Sequence, residues 1–250
     1  MGAKRTKESG RKGRHAKRAA KPLLDPCPPG QIGGSYKPLR EAEVRQIFET
    51  ACNLLANLGM GDVPARLEAD LHHVGAVTDD RGRVLFPRSL VDDAIAGAAK
   101  TFTLHGRDPD RSIEVGGDSV HFGTGGAAVQ TLDLDTRIYR PATLADLHDF
   151  TRLQDTLANV SWYTRCCVAT DVPDIRDLDI NTAYALIKNT TKPTATSFTV
   201  AENVAPIVEM LDIAAGGPGA FAQRPFMQAH ISPVNSPLRY SEDADDDVYE

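Results

Sequence analysis

The sequence predicts an α/β fold, an incomplete TIM (β/α)8 barrel (its first half) preceded by a helical and β-hairpin N-terminal region. Three observations lead there. Strand-like and helix-period runs alternate over 161–169, 177–188, 194–199, 203–215 and 225–232, a rhythm that argues for parallel strands with helical crossovers. With a strand at 120–122 and a helix at 144–157 this makes four strands and three helices, half of a barrel that takes about 250 residues in full. The last residues, Asp243-Ala-Asp-Asp-Asp-Val-Tyr-Glu, are acidic where the rhythm asks for an apolar helix. The expectation is therefore a front half that has been truncated.

The elements follow in chain order. Residues 1–22 carry nine Lys/Arg against one Glu, with almost nothing apolar, and are expected to be a disordered basic tail. Pro26, Pro28, Pro29, Gly30, Gly33 and Gly34 mark 23–36 as a linker or extended arm. A helix is predicted over 39–59, because Val44, Ile47, Phe48, Ala51, Leu54, Leu55 and Leu58 recur at i, i+3, i+4 and Gly59 can cap its end. A second helix covers 63–74, a short strand 83–86, and a third helix opens at Pro87, where proline favours the first turn. Residues 101–105 alternate as a strand. The runs 112–115 and 119–122 are expected to pair as a hairpin over Gly116-Gly117. A glycine-rich loop, 123–126, and a hairpin across Asp133-Leu-Asp-Thr come next, and Thr143 caps a helix over 144–157. The domain reading is a tail at 1–22, an N-terminal helical and hairpin region at 23–117, and the half barrel at 118–250.

Composition narrows the function classes. The chain is 41% hydrophobic and 25% charged, ordinary for a globular protein. No apolar run approaches the ~18 residues of a membrane span. Outside the basic tail, 19 Lys/Arg face 33 Asp/Glu, and so acidic a body argues against nucleic acid as the main partner. The tail lacks the apolar segment of a secretory signal. Cys27, Cys52, Cys166 and Cys167 form no Cys-x-x-Cys pair, so a reduced, cytoplasmic chain is the default expectation.

Chemistry-bearing residues are sparse. Gly123-Thr-Gly-Gly-Ala-Ala loosely matches a dinucleotide fingerprint, but that motif needs a helix at once, so that N–H groups meet the pyrophosphate. Val129-Gln-Thr-Leu is strand-like instead, which leaves a tight turn or a close backbone approach to a ligand. His121, His148 and His230 show no metal-ligand spacing. Cys166-Cys167 lacks the third and fourth ligands of a thiolate zinc site, so no metal is expected. Asp133 and Asp135 belong to a turn. Asp171 and Asp174 follow a strand, where a barrel places its active face, although helix capping explains them equally well. No catalytic residue is assigned.

Several of these motifs, in one order, resemble the trimethylamine methyltransferase family. They are Phe102-Thr-Leu-His-Gly-Arg-Asp-Pro, His121-Phe-Gly-Thr-Gly-Gly, Leu132-Asp-Leu-Asp-Thr and Arg140-Pro-Ala-Thr-Leu-Ala-Asp-Leu, followed by Leu186-Ile-Lys-Asn-Thr-Thr-Lys-Pro and Ser232-Pro-Val-Asn-Ser-Pro-Leu-Arg-Tyr-Ser-Glu-Asp. The resemblance runs from about Tyr36 to Asp243. It implies a TIM barrel behind a helical and hairpin region. It also implies transfer of a methyl group from a tertiary or quaternary methylamine to cob(I)alamin held by a separate corrinoid protein. One branch of the family carries pyrrolysine, in the half not represented here; another lacks it and includes glycine betaine demethylation.

A quaternary ammonium offers no N–H, so aromatic faces or carboxylates must recognise it. Strand-end position and side-chain type make Thr124, Gly125, Trp162, Asp171, Phe198, His230 and Asn235 the candidate substrate-binding residues. The partners implied are a small methylated amine and a corrinoid protein, without nucleic acid or membrane, and with homo-oligomerisation as a further option. The competing reading is a non-catalytic truncated remnant that binds a partner or itself. A third, RNA association through 4–21, is opposed by the acidic body.

Overall fold

The structure, a computed structural model, describes Pro28 and residues 30–242. The basic tail at 1–22, Cys27 and the acidic end at 243–250 lie outside the described residues.

The N-terminal region is a set of amphipathic helices tied together by short antiparallel pairs. Strand β1 (Gln31–Ile32) precedes helix α1 (Glu41–Asn57). At the start of α1, Glu43 accepts a hydrogen bond from the backbone N–H of Arg40, which satisfies a donor no helical carbonyl can reach. Gly59, at φ +65°, ends the helix; a Cβ there would lie 2.2 Å from the carbonyl oxygen of Val84. Helix α2 (Ala65–His73), the hairpin of β2 (Val77–Thr78) and β3 (Val84–Leu85), and helix α3 (Arg88–Gly97) follow. Asp79 shapes that hairpin, its Oδ1 accepting from the amides of Arg81 and Arg83, each at 2.9 Å.

The expected pairing of 112–115 with 119–122 is not what forms. Strand β5 (Ile113–Gly116) pairs antiparallel with β4 (Thr101–Leu104), and β6 (Ser119–Val120) pairs with β1. The Gly116-Gly117 turn is present, but the four-residue ladder from β4 holds β5. Part of the predicted extended arm thus becomes an edge strand.

Hairpin β7 (Gln130–Leu132) and β8 (Tyr139–Pro141) forms as expected. Asp133 builds its turn by accepting from the amide and hydroxyl of Thr136 at 2.8 and 2.9 Å. Then come helix α4 (Leu144–Thr156), strand β9 (Tyr163–Thr164), helix α5 (Ile175–Asn189), strand β10 (Thr194–Thr196), helix α6 (Val204–Ala215), the short helix α7 (Ala220–Gln223) and strand β11 (Met227–Ala229). A final hairpin joins β12 (Val234–Asn235) to β13 (Arg239–Tyr240) across the cis Ser236–Pro237 peptide.

Strands β9, β10 and β11 form a parallel sheet in sequence order. The segment 123–128 continues that order on the outer side of β9, bridging in parallel from Gly123 to Trp162 and from Ala128 to Cys167. Register partners share a face, so Tyr163, Thr194 and Met227 point together toward the helical layer. There Tyr163 and Met227 meet Leu147 of α4, Ala183 and Leu186 of α5, and Ile207 and Leu211 of α6, forming the main core. The architecture is α/β, with no closed barrel among the described residues. No described helix is long and apolar enough to cross a membrane.

The last hairpin does not stay beside the strand ends. It returns to the N-terminal region, where Gly61 donates to the Leu238 carbonyl and Tyr240 donates to the Gly61 carbonyl, both at 2.9 Å. The Arg83 guanidinium donates to the same Leu238 carbonyl at 3.0 Å.

Candidate functional site

The first sheet edge is where the structure changes the expected site most. The glycine-rich run is not a free loop beyond a strand. Gly123 lies flat against the Trp162 indole; a Cβ there would meet the ring at 2.1 Å. Thr124 uses its hydroxyl as a backbone group. It accepts from the Thr164 amide at 2.9 Å and donates to the Thr164 carbonyl at 2.7 Å. One side chain thus replaces a ladder pair that the glycine-rich backbone does not make, and satisfies two groups that would otherwise be unpaired. Gly125 and Gly126 are exposed, with open space where a side chain would sit.

At the C-terminal ends of the strands the structure gathers three more candidates. His230 follows β11, its amide donating to the Thr196 carbonyl at 2.8 Å and its side chain exposed. Phe198 follows β10 and packs against the main core. Asp171, after β9, accepts from the Leu144 amide at 2.8 Å and so caps helix α4. Asp174 does the same for α5 through the Asp177 amide at 2.9 Å. Asn235 is exposed on β12, in the hairpin clasped to Gly61 rather than at a strand end. Trp162 precedes β9, half-buried beside Gly123.

Two groups at this end escape the sequence reading. Asp179 is fully buried on α5. It accepts from the Thr199 amide at 2.8 Å, the Thr199 hydroxyl at 2.9 Å and Asn203 Nδ2 at 2.8 Å. A carboxylate with three donors tethers the turn after β10 that carries Phe198. Its spacing to Thr182, Ala183 and Leu186 puts it on the buried face of α5, a signal missed when only apolar residues are counted. Arg165 follows β9, and burial pulls its guanidinium below the usual range while the Asp179 carboxylate opposes the shift.

The Cys166–Cys167 pair sits beside these groups as free thiols. The Cys167 thiol, hydrogen-bonded to Cys166, draws Cys166 below the usual thiol range. That same contact, with burial, pushes Cys167 up. Tyr163 Oη lies 3.2 Å from Cys166 Sγ and 3.1 Å from Thr151 Oγ1, and burial raises its phenol. Among the described residues no three His, Cys, Asp or Glu side chains converge on a point that could hold a metal.

At the entrance to α4, Arg140 grips Asp146 through two N–H groups at 2.7 and 2.8 Å, while Asp146 also accepts from the Thr143 amide and hydroxyl. The Arg140 guanidinium holds the Asp146 carboxyl well below the usual range. This is structural chemistry: it fixes the hairpin to the helix.

Comparison with known proteins accords with the motif order. The family model for trimethylamine methyltransferase matches residues 7–248. A glycine betaine methyltransferase of Desulfitobacterium hafniense (strain Y51) is 29% identical over 218 residues, which cover 85% of this chain and 44% of the relative. The trimethylamine methyltransferase MttB of Desulfitobacterium hafniense (strain DSM 10664 / DCB-2) is 30% identical over 178 residues, 70% of this chain and 35% of the relative. The chain spans less than half the length of these curated relatives. With a match that extends across nearly all of its sequence, the chain belongs to the trimethylamine methyltransferase family.

Proposed function

We propose that this chain forms the front half of a (β/α)8-barrel methyltransferase. It would take a methyl group from a tertiary or quaternary methylamine, of the trimethylamine or glycine betaine type, for transfer to cob(I)alamin on a separate corrinoid protein. The observation that carries this reading is the family match over 7–248. The parallel sheet, wound in sequence order with a helix on each crossover, supports the barrel part.

A quaternary ammonium is bound by aromatic faces, each worth about 2 kcal/mol when desolvated. Trp162 and Phe198 are the aromatic candidates, and Thr124 holds the strand that Trp162 covers. The corrinoid would supply the cobalt nucleophile. The open space over Gly125 and Gly126 leaves bare backbone against which a broad partner can come close. The chain's own task is to hold the methyl donor in line and keep water out.

The test mixes purified chain, a corrinoid protein reduced to Co(I), and either trimethylamine or glycine betaine, and follows methyl-cobalt formation by absorbance. Transfer from at least one amine is expected, with Trp162→Ala reducing kcat/KM about thirtyfold, the scale of one such contact. If a folded chain transfers nothing from either amine, the second reading takes over: a non-catalytic fragment that binds a partner or itself. The exposed apolar residues of α1 and the open outer edge of β11 favour that alternative.

A further inference from the structure

At the opposite, N-terminal end of the parallel sheet lies a cavity of about 340 Å³. It sits between the 109–111 turn, the C-terminal end of α4 and the residues that lead into β9 and β10. Arg111, Asp155, Ser161 and Lys192 line it, with Asp110 at its exposed rim.

The charges in this cavity are unevenly matched. Asp155 is already compensated. Its Oδ1 accepts from Arg111 Nη1 at 2.7 Å, from the Thr190 hydroxyl at 2.8 Å and from the Thr191 amide at 3.1 Å. Lys192 is not compensated in that way. The residue is only 6% exposed. Its ammonium donates to the carbonyls of Gln154 and Leu157 at 2.5 and 2.7 Å, and it makes no ion pair among the described residues. Two neutral carbonyls satisfy two of its three N–H groups, and the carboxylate that acts on its charge, Asp155, is in contact with Arg111 instead. Burying an ammonium without a counter-ion in contact is costly, and burial pulls Lys192 below its usual range despite Asp155. Beside it the Ser161 hydroxyl, in a residue 7% exposed, has no hydrogen-bond partner among the described residues. Arg111 engages Asp155 through Nη1 alone, which leaves its other N–H groups available among the described residues.

We propose that this cavity binds a small oxyanion, a carboxylate or a phosphate group, through Lys192, Ser161 and Arg111. An anionic oxygen would supply the contact ion pair that Lys192 lacks and the partner that Ser161 lacks. The volume suits a ligand of metabolite size. The site is separate from the strand C-terminal ends and does not rest on the methyltransferase reading.

Trp162, the single tryptophan of the chain and the neighbour of Ser161, is the natural reporter. The full chain is titrated with sodium acetate and, separately, sodium phosphate at constant ionic strength, while tryptophan fluorescence and the thermal midpoint are followed. Saturable binding of at least one anion is expected, weakened tenfold or more by both Lys192→Met and Ser161→Ala. Saturation by acetate alone identifies a carboxylate site, and saturation by phosphate alone a phosphate site. Saturation by both supports a general oxyanion site. If Lys192→Met does not fold, Ser161→Ala, which keeps the ammonium, decides by itself. Absence of saturation by either anion, or saturation unchanged in Ser161→Ala, overturns the proposal.

Discussion

The N-terminal helices are more strongly amphipathic in sequence than the helices on the parallel sheet, yet they are the ones left less covered. Helix α5 buries Asp179, Thr182, Ala183, Ala185, Leu186 and Ile187 against the sheet and its neighbours. Helix α1 buries only Cys52, and α2 and α3 bury nothing fully. Val44, Ile47, Leu54 and Leu58, spaced as a core stripe, remain exposed, Ile47 at 59%. Periodicity reports that a helix has an apolar face. It does not report what covers that face.

Mutations can break or sharpen this contrast. The largest effect is expected for Leu186→Ala, a fully buried core position, which should lose about 3 kcal/mol in chemical denaturation. The paired change Leu54→Ala, on the exposed stripe, should stay within about 0.5 kcal/mol. Equal losses would mean that α1 is as enclosed as α5. Gly123→Ala comes next. Its methyl must displace the Trp162 indole, costing about 2 kcal/mol with a shift in tryptophan emission. Asp171→Ala, which removes the cap of α4, should cost about 1 kcal/mol.

The acid limb separates the two regions in another way. Asp146 has its carboxyl depressed by Arg140. The stability it contributes is therefore present above the unfolded carboxylate value of about 4 and lost as pH falls from there toward the folded value. Asp146→Asn should flatten the unfolding curve below about pH 4 and leave its slope near pH 7 unchanged. The smallest effect is Glu49→Gln on α1. It breaks an ion pair with Arg88 between side chains exposed by 48% and 44%, and should leave the denaturation midpoint essentially unchanged, because solvent screens so exposed a pair.

The legible parts of the sequence were those decided locally. Thr143 announces α4, Asp133 its preceding turn, and the alternation after residue 161 announces the parallel sheet. The mispaired hairpin shows the boundary. Gly116-Gly117 is a sound turn signal, but β5 takes its hydrogen bonds from β4, and nothing in 112–122 records that competition. Thr124 shows it again, because a hydroxyl acting in place of a peptide group has no sequence signature. Asp171 carried both readings from the start, and the contact seen is the cap. Asp179 was hidden because a period counted over apolar residues passes over a buried carboxylate.

The clasp between the last hairpin and the N-terminal region bears on the order in which the molecule assembles. Arg83 and Leu238 are 155 residues apart in the chain. A contact of that sequence separation demands a large loss of chain freedom before it returns anything. During synthesis the Gly61 amide has no Leu238 carbonyl to meet until nearly all of the described chain has been made. Helices α1 to α3 therefore wait for their last anchor while the sheet winds from neighbour to neighbour. In pulse-labelled hydrogen exchange during refolding, the amides of Gly61 and Tyr240 should gain protection together, after those of Tyr163 and Thr194.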